Sequence, residues 1–270
     1  MELSAMTTYK ITPLKMGETN VPSAEIYWMT KLTGWEQLDF WAFLIEGGGK
    51  RILLNTGFPQ DYSDLDRHWT AWAMEATGEE GHVPVVAENE WIVDALAVHG
   101  VAPGQIDYVL VTPLTAYATG GLDQFPEAQI CVSRRGWIDF HAPDEEVPQL
   151  PRHIVFPTHV LQYLVGEAAP RVKLLPDEET EILPGIRSWF CGGHHRSSMA
   201  FLVETQEGTV ALTDAIFKYR NYEESIPLGL SENLEEHYRL FARLKREADI
   251  MLPLYDPEVK TRFGKRDTTS

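Results

Sequence analysis

Cysteine is scarce: Cys131 and Cys191 are the only two in 270 residues, and neither belongs to a CxxC pair. That count excludes a disulfide framework, and both thiols lie in apolar runs, so buried reduced side chains are expected. Positive charge is scarce too. Twenty-three Lys and Arg face 40 Asp and Glu, for a formal net charge of −17. Such a surface repels polyanions and argues against nucleic acid or an anionic membrane as partner. The acidity is not itself a sign of a cationic substrate, since charge usually sits on solvated faces. No apolar run reaches the roughly 18 residues of a membrane span. Residues 1–16 show no basic segment followed by an apolar one, so no signal peptide is expected and the default location is cytoplasmic. A homodimer is compatible with the sequence.

What is present reads as one αβ domain over residues 1–270. Residues 9–14, 24–29 and 38–45 are rich in β-formers, and Gly47-Gly48-Gly49 turns the last run into a hairpin partner at 51–54. Residues 61–76 and 88–99 carry apolar side chains at helical spacing (Leu65, Trp69, Trp72, Ala73; Trp91, Ile92, Ala95, Leu96), and Gly100 stops the second helix. Residues 106–111 form a buried strand running into a polar, glycine-closed loop. A strand at 129–133 and a short helix at 136–140 follow. The proline-rich stretch 141–171, helical at 159–165, is the candidate lid. A second half begins with strands at 172–175 and 186–191, continues with a hairpin of 199–204 and 209–213, then a helix over 231–248 with Ser231 as N-cap, and ends on a strand at 250–252. Two halves of strands followed by helices fit a four-layer αββα sandwich with its site between the sheets.

Five segments, in order, resemble landmarks of the metallo-β-lactamase superfamily, and within it the N-acyl-homoserine lactonase-like branch. Ile52-Leu53-Leu54-Asn55-Thr56-Gly57 is similar to the family's strand and Asp-Thr-Gly, with Asn55 in place of Asp. Residues 108–121 match its strand, His-x-His-x-Asp-His loop and Gly-Gly. Gly193-His194 with the strand from Ser198, then Leu212-Thr213-Asp214-Ala215, then Pro253-Leu254-Tyr255-Asp256-Pro257, resemble the remaining three.

The resemblance implies an αββα fold and two zinc-type ions held by five histidines and two aspartates. Here the loop offers Pro113, Thr115, Tyr117 and Ala118 at the ligand positions, and Tyr255 stands where the last histidine belongs. Only His194 and Asp214 remain, too few for a catalytic zinc. No metal and no other cofactor is therefore expected, unless a rearranged mononuclear site recruits His195 or His141.

The chemistry left is an Asp214–His194 pair, in which the carboxylate would orient the imidazole as a general base. Tyr117 and Tyr255 would polarise a carbonyl, or merely fill vacated volume. Thr115, His195, Arg196 and Ser197 are candidate substrate contacts. His195 follows His194 in an extended segment and is expected to face the opposite side, and Arg196 to offer a bidentate guanidinium. Asp123 and Asp256 read as turn or capping residues. Aromatic residues at 35–43 and 69–72 mark an apolar entrance, so an apolar or aromatic small molecule is the expected ligand. The function expected is metal-independent hydrolysis of a lactone or ester. The alternatives are a lyase or isomerase, or a ligand-binding protein that kept the fold without the chemistry.

Overall fold

The computed structural model describes residues 7–79 and 84–263; the start of the N-terminal stretch read for a targeting signal lies outside them. Among the described residues eleven strands form two sheets. In the first, β1 (Lys10–Pro22) pairs antiparallel with β2 (Trp35–Gly47), which turns into β3 (Lys50–Leu54). Gly48 and Gly49 make that turn at φ of 57° and 70°, the left-handed pair that a tight hairpin needs and a side chain resists. β4 (Tyr108–Leu110), β5 (Gln129–Ser133) and β6 (Val172–Leu175) then add in parallel. The second sheet runs in the order β7 (Thr180–Leu183), β8 (Ile186–Phe190), β9 (Met199–Thr205), β10 (Gly208–Thr213), β11 (Ile250–Pro253). Only its last pair is parallel.

The helices are α1 (Ser23–Ile26), α2 (Ser63–Thr77), α3 (Ile92–Val98), α4 (Ala116–Thr119), α5 (Arg134–His141), α6 (Arg152–Val155), α7 (Thr158–Val165), α8 (Tyr219–Glu224), α9 (Leu234–Glu247) and α10 (Val259–Arg262). Strand alternation explains the layers. Met199, Phe201 and Val203 of β9 and Val210 and Leu212 of β10 enter the main core. The residues between them, Ala200, Leu202 and Ala211, point the other way and meet Leu240, Phe241 and Leu244 of α9. A two-residue period thus feeds two cores from one strand. Helix α9 is capped by Asn233, whose side chain accepts from the amides of Glu235 and Glu236, and it carries acids in its first turn and Lys245 and Arg246 in its last. Both arrangements suit the helix dipole.

Three expectations change. Residues 24–29 form α1 and a turn rather than a strand, because Pro22 ends β1 and Ile26 and Tyr27 are buried by packing instead of pairing. β6 closes the first sheet beside β5 rather than opening the second half. The cap of α9 is Asn233; the Ser231 hydroxyl instead donates to the carbonyl of Gly193. Cys131 and Cys191 are free and buried, and no helix among the described residues is long and apolar enough to cross a membrane.

The sheets are also joined by the chain's far end. The amides of Asp39 and Trp41 donate to the carbonyls of Tyr255 and Leu254, and the Trp41 indole donates to the Asp256 carbonyl at 2.9 Å. At the end of β3, Asn55 sits at φ 63°, a region Asn tolerates better than most residues. Its amide bridges to β4 twice: Nδ2 donates to the Thr112 carbonyl at 2.7 Å, and Oδ1 accepts from the Thr112 amide at 2.9 Å. Asn55→Asp should therefore destabilise the fold by about 2 kcal/mol, because a buried acceptor would then face the Thr112 carbonyl. Urea unfolding that returns the wild-type midpoint would deny the bridge that role.

Candidate active site

The ends of β3, β4 and β10 and the turn before β9 meet at one edge of the sandwich, where a cavity of about 750 Å³ opens. Its apolar wall includes Leu38 and Phe40 of β2 and Trp69 and Trp72 of α2; Trp35 borders it too. Trp41 does not, since it lies in the core. Residues 147–151 and α6 front the cavity, whereas α7 packs Val160 and Leu164 into the core. Of the stretch 141–171, the part that borders the cavity thus lies ahead of α7.

Thr115, Tyr117, His194, His195, Arg196, Ser197 and Tyr255 all line the cavity. Gly192 and Gly193, at φ 57° and 80°, fold residues 192–198 into a turn closed by the Ser198 amide on the His195 carbonyl. Strand alternation does not apply inside a turn. His195 accordingly lies against His194, with ring centroids 3.8 Å apart, and not on the opposite side.

His194 is 2% exposed. Its Nδ1 lies 2.9 Å from the Leu230 carbonyl. A carbonyl only accepts, so Nδ1 carries the proton and Nε2 presents a lone pair. That Nε2 has no hydrogen-bond partner among the described residues. Burial holds the imidazole well below its ordinary pKa, helped by the neighbouring His195, so the ring is neutral.

The expected Asp214–His194 hydrogen bond is absent. The Asp214 carboxyl accepts from the hydroxyls of Thr112 and Ser198, one on each oxygen. Those hydroxyls are themselves fixed: Thr112 Oγ1 accepts from the Met199 amide at 2.8 Å and Ser198 Oγ from the His195 amide at 3.0 Å. Asp214 thus ties the end of β4 to the turn that bears His194, and a backbone carbonyl does the orienting. Burial raises the Asp214 pKa to about 6.

Tyr117 and Tyr255 stand edge to face, with ring centroids 6.0 Å apart. Phe217, unnoticed in the sequence, lies edge-on to both His194 and Tyr255 at 4.8 and 4.6 Å. The Tyr255 hydroxyl, 3% exposed as a residue, and the Thr115 hydroxyl flank the Tyr117 phenol, and among the described residues neither closes a well-formed hydrogen bond. Burial pushes both phenols above their ordinary pKa; the Thr115 and Tyr255 hydroxyls beside Tyr117 oppose its rise, whereas Tyr117 and the Asp214 charge add to that of Tyr255. Ser197 is committed, its hydroxyl accepting from the Leu114 amide. Arg196 is committed as well, paired to Glu232 and Asp139, with Glu232 also 3.7 Å from His195. This leaves no open guanidinium fork for a bidentate anion.

Against a two-metal centre these residues do not fit. Pro113 and Ala118 offer no donor atom, Thr115, Tyr117 and Tyr255 offer only neutral hydroxyls, and both oxygens of Asp214 are taken. Among the described residues no three His, Cys, Asp or Glu side chains converge as an ion requires. His141 does not join a rearranged site either: its Nδ1 bonds the Trp137 carbonyl on an exposed face. Asp256 accepts from the amides of Tyr219 and Glu258, a capping role.

The buried Asp214 has a pH signature. Its folded pKa lies above the unfolded value, so the folded state keeps a proton that the unfolded state releases between pH 4 and about 6. The stability it contributes is full below about pH 4 and is lost as pH rises through 6, on the order of 2–3 kcal/mol. Buried histidines act in the opposite sense, so the difference between wild type and Asp214→Asn isolates the effect. That difference, from denaturation at pH 4 to 8, should slope in the variant's favour as pH rises; a flat difference removes the assignment.

No family model matches the chain. In sequence it is 26% identical over 195 residues to an N-acyl homoserine lactonase of Bacillus cereus, covering 71% of this chain and 70% of that one. It is 27% identical over 203 residues to one from a Bacillus species, covering 73% of each. In structure it matches an N-acyl homoserine lactone hydrolase, solved with N-hexanoyl-L-homoserine at its catalytic metal centre, with TM-score 0.73, 21% identity and coverage of 95% and 96%. It also matches a hydrolase of the β-lactamase superfamily with TM-score 0.61, 14% identity and coverage of 95% and 92%. The chain has the metallo-β-lactamase fold, and in sequence and structure it resembles the N-acyl homoserine lactonase branch of that superfamily.

Proposed function

We propose that the protein is a hydrolase of a lactone or ester with an apolar body, and that it works without the metals of its relatives. The observation that carries this reading is a set of buried polar atoms at the cavity floor that close no well-formed hydrogen bond among the described residues: His194 Nε2, and the Tyr255 and Thr115 hydroxyls that flank the Tyr117 phenol. His194 Nε2 is the base. It takes a proton from water as the water oxygen attacks the carbonyl carbon. The oxygen of that carbonyl becomes an oxyanion held by the phenols of Tyr117 and Tyr255, with Thr115 beside them. Collapse breaks the carbon–oxygen bond to the leaving alkoxide, which receives the proton from Nε2. Asp214 is a positioning residue that holds the 195–198 turn. His195, Arg196 and Ser197 shape the polar wall, and residues 147–151 cover the ligand.

The similarity to lactonases supports the hydrolytic class. The low basicity of His194 favours a second reading, a ligand-binding protein without turnover, in which the same three atoms grip a polar group. A panel of lactones, aryl esters and small cyclic amides separates the two. Turnover is expected for the hydrolase, and an inert panel with a tight apolar ligand in a thermal-shift screen assigns the binding role.

On the best substrate, His194→Ala should lower kcat by about a hundredfold or more. Tyr117→Phe or Tyr255→Phe should lower it by about tenfold to a thousandfold without lowering the melting temperature much. The neutral form of His194 is the active one and its pKa is depressed, so kcat/KM should hold on the acid side to below pH 6.5. Full turnover in His194→Ala removes it as the base.

Protein purified without added ions should carry far less than one equivalent of zinc, iron or manganese. Elemental analysis returning two equivalents that chelators remove only with unfolding defeats the metal-independent reading.

A further inference from the structure

The carboxylates that line the cavity are not equivalent. Asp139 and Glu232 both pair with Arg196. Glu25, half-buried on α1, has no cation within ion-pair distance among the described residues. Its one side-chain hydrogen bond among the described residues comes from the Trp72 indole, which donates to Oε1 at 2.8 Å and leaves Oε2 open. Burial raises its pKa and the indole bond opposes that rise, and no charged neighbour contributes to the shift. The surroundings are aromatic, with Trp72 beside the carboxylate and Trp35 and Trp69 along the same wall. A carboxylate held next to indole rings in an apolar cavity is the chemistry that recognises an organic cation, by ion pairing and by cation–π attraction.

Resting on the hydrolase reading for its reacting end, we propose that Glu25 is a specificity determinant that selects ligands carrying an ammonium group on an apolar body. The spacing follows from Leu230. Its amide donates to the Glu25 carbonyl at 2.8 Å and its own carbonyl holds His194 Nδ1 at 2.9 Å. The Glu25 backbone is thus at most about 10 Å from the imidazole, given the reach of one residue. The Glu25 side chain lines the same cavity as His194 and Tyr255, so one elongated ligand can meet both ends.

Binding by isothermal calorimetry at pH 8 and 0.15 M salt tests this without any turnover, with 4-phenylbutylammonium and its neutral counterpart 4-phenylbutan-1-ol as probes. Salt screens the diffuse field of the acidic surface. Wild type should bind the ammonium at least tenfold more tightly than the alcohol. Glu25→Gln keeps an acceptor for the indole and removes only the charge, so the preference should fall below about threefold. Trp72→Phe removes the indole donor and keeps the charge, so the preference should survive. Equal binding of the two probes by wild type, no binding of either, or a preference that persists in Glu25→Gln overturns the proposal. An inert ester panel with the preference intact would sink the hydrolytic reading alone, and turnover with no preference would sink the role of Glu25 alone.

Discussion

The site depends on one buried carboxyl. Asp214 follows β10 of the second sheet and accepts from Thr112, just beyond β4 of the first, and from Ser198, at the start of β9. That junction joins the two sheet edges at the cavity, beside the bonds of Leu114 to Ser197 and of Trp41 to Leu254 and Asp256. The protein keeps a group whose ionisation burial opposes, and it offsets that cost chiefly with two hydroxyl donors, with His195 nearby adding to them. The donors are anchored in turn by backbone amides of Met199 and His195. The turn bearing His194 and His195 therefore inherits its position from the core rather than from surface contacts.

Around that junction the polar groups divide into two kinds. Ser197, Ser198, Thr112, Arg196 and Glu232 are paired within the protein and give the cavity its shape. His194 Nε2 and the hydroxyls of Thr115 and Tyr255 close no well-formed hydrogen bond among the described residues and lie deep. An unpaired polar atom at such depth costs stability. Three of them border one cavity, where a polar group entering from outside could bond them.

The sequence made much of this readable, for definite reasons. The hairpin at Gly48-Gly49, the strand at β5 and the hairpin of β9 and β10 announced themselves through glycine turns and apolar runs, which are local signals. The cavity-lining positions of Tyr117, His194 and Tyr255 came from the order of the landmarks. Contacts set by the backbone stayed hidden. The Leu230 carbonyl orients His194, and a carbonyl has no residue signature. His195 was misplaced because the alternation of a strand was applied to a glycine turn. The Asp214–His194 bond was inferred from proximity, with no sign in the sequence that Thr112 and Ser198 already filled the carboxyl. Residues 24–29 have strand composition but no neighbour left to pair with.

The bonds that complete the cavity join distant parts of the chain. Thr112 and Asp214 are separated by 102 positions, and Trp41 reaches Asp256 across 215. Loops of that size close slowly, and their cost is met before the contacts that reward it can form. The helices and hairpins can assemble early, while the cavity, which needs Tyr255 stapled to the edge of β2, comes into being only once nearly the whole chain is in place. The cavity is thus a property of the finished fold, assembled from stretches that lie far apart in the chain.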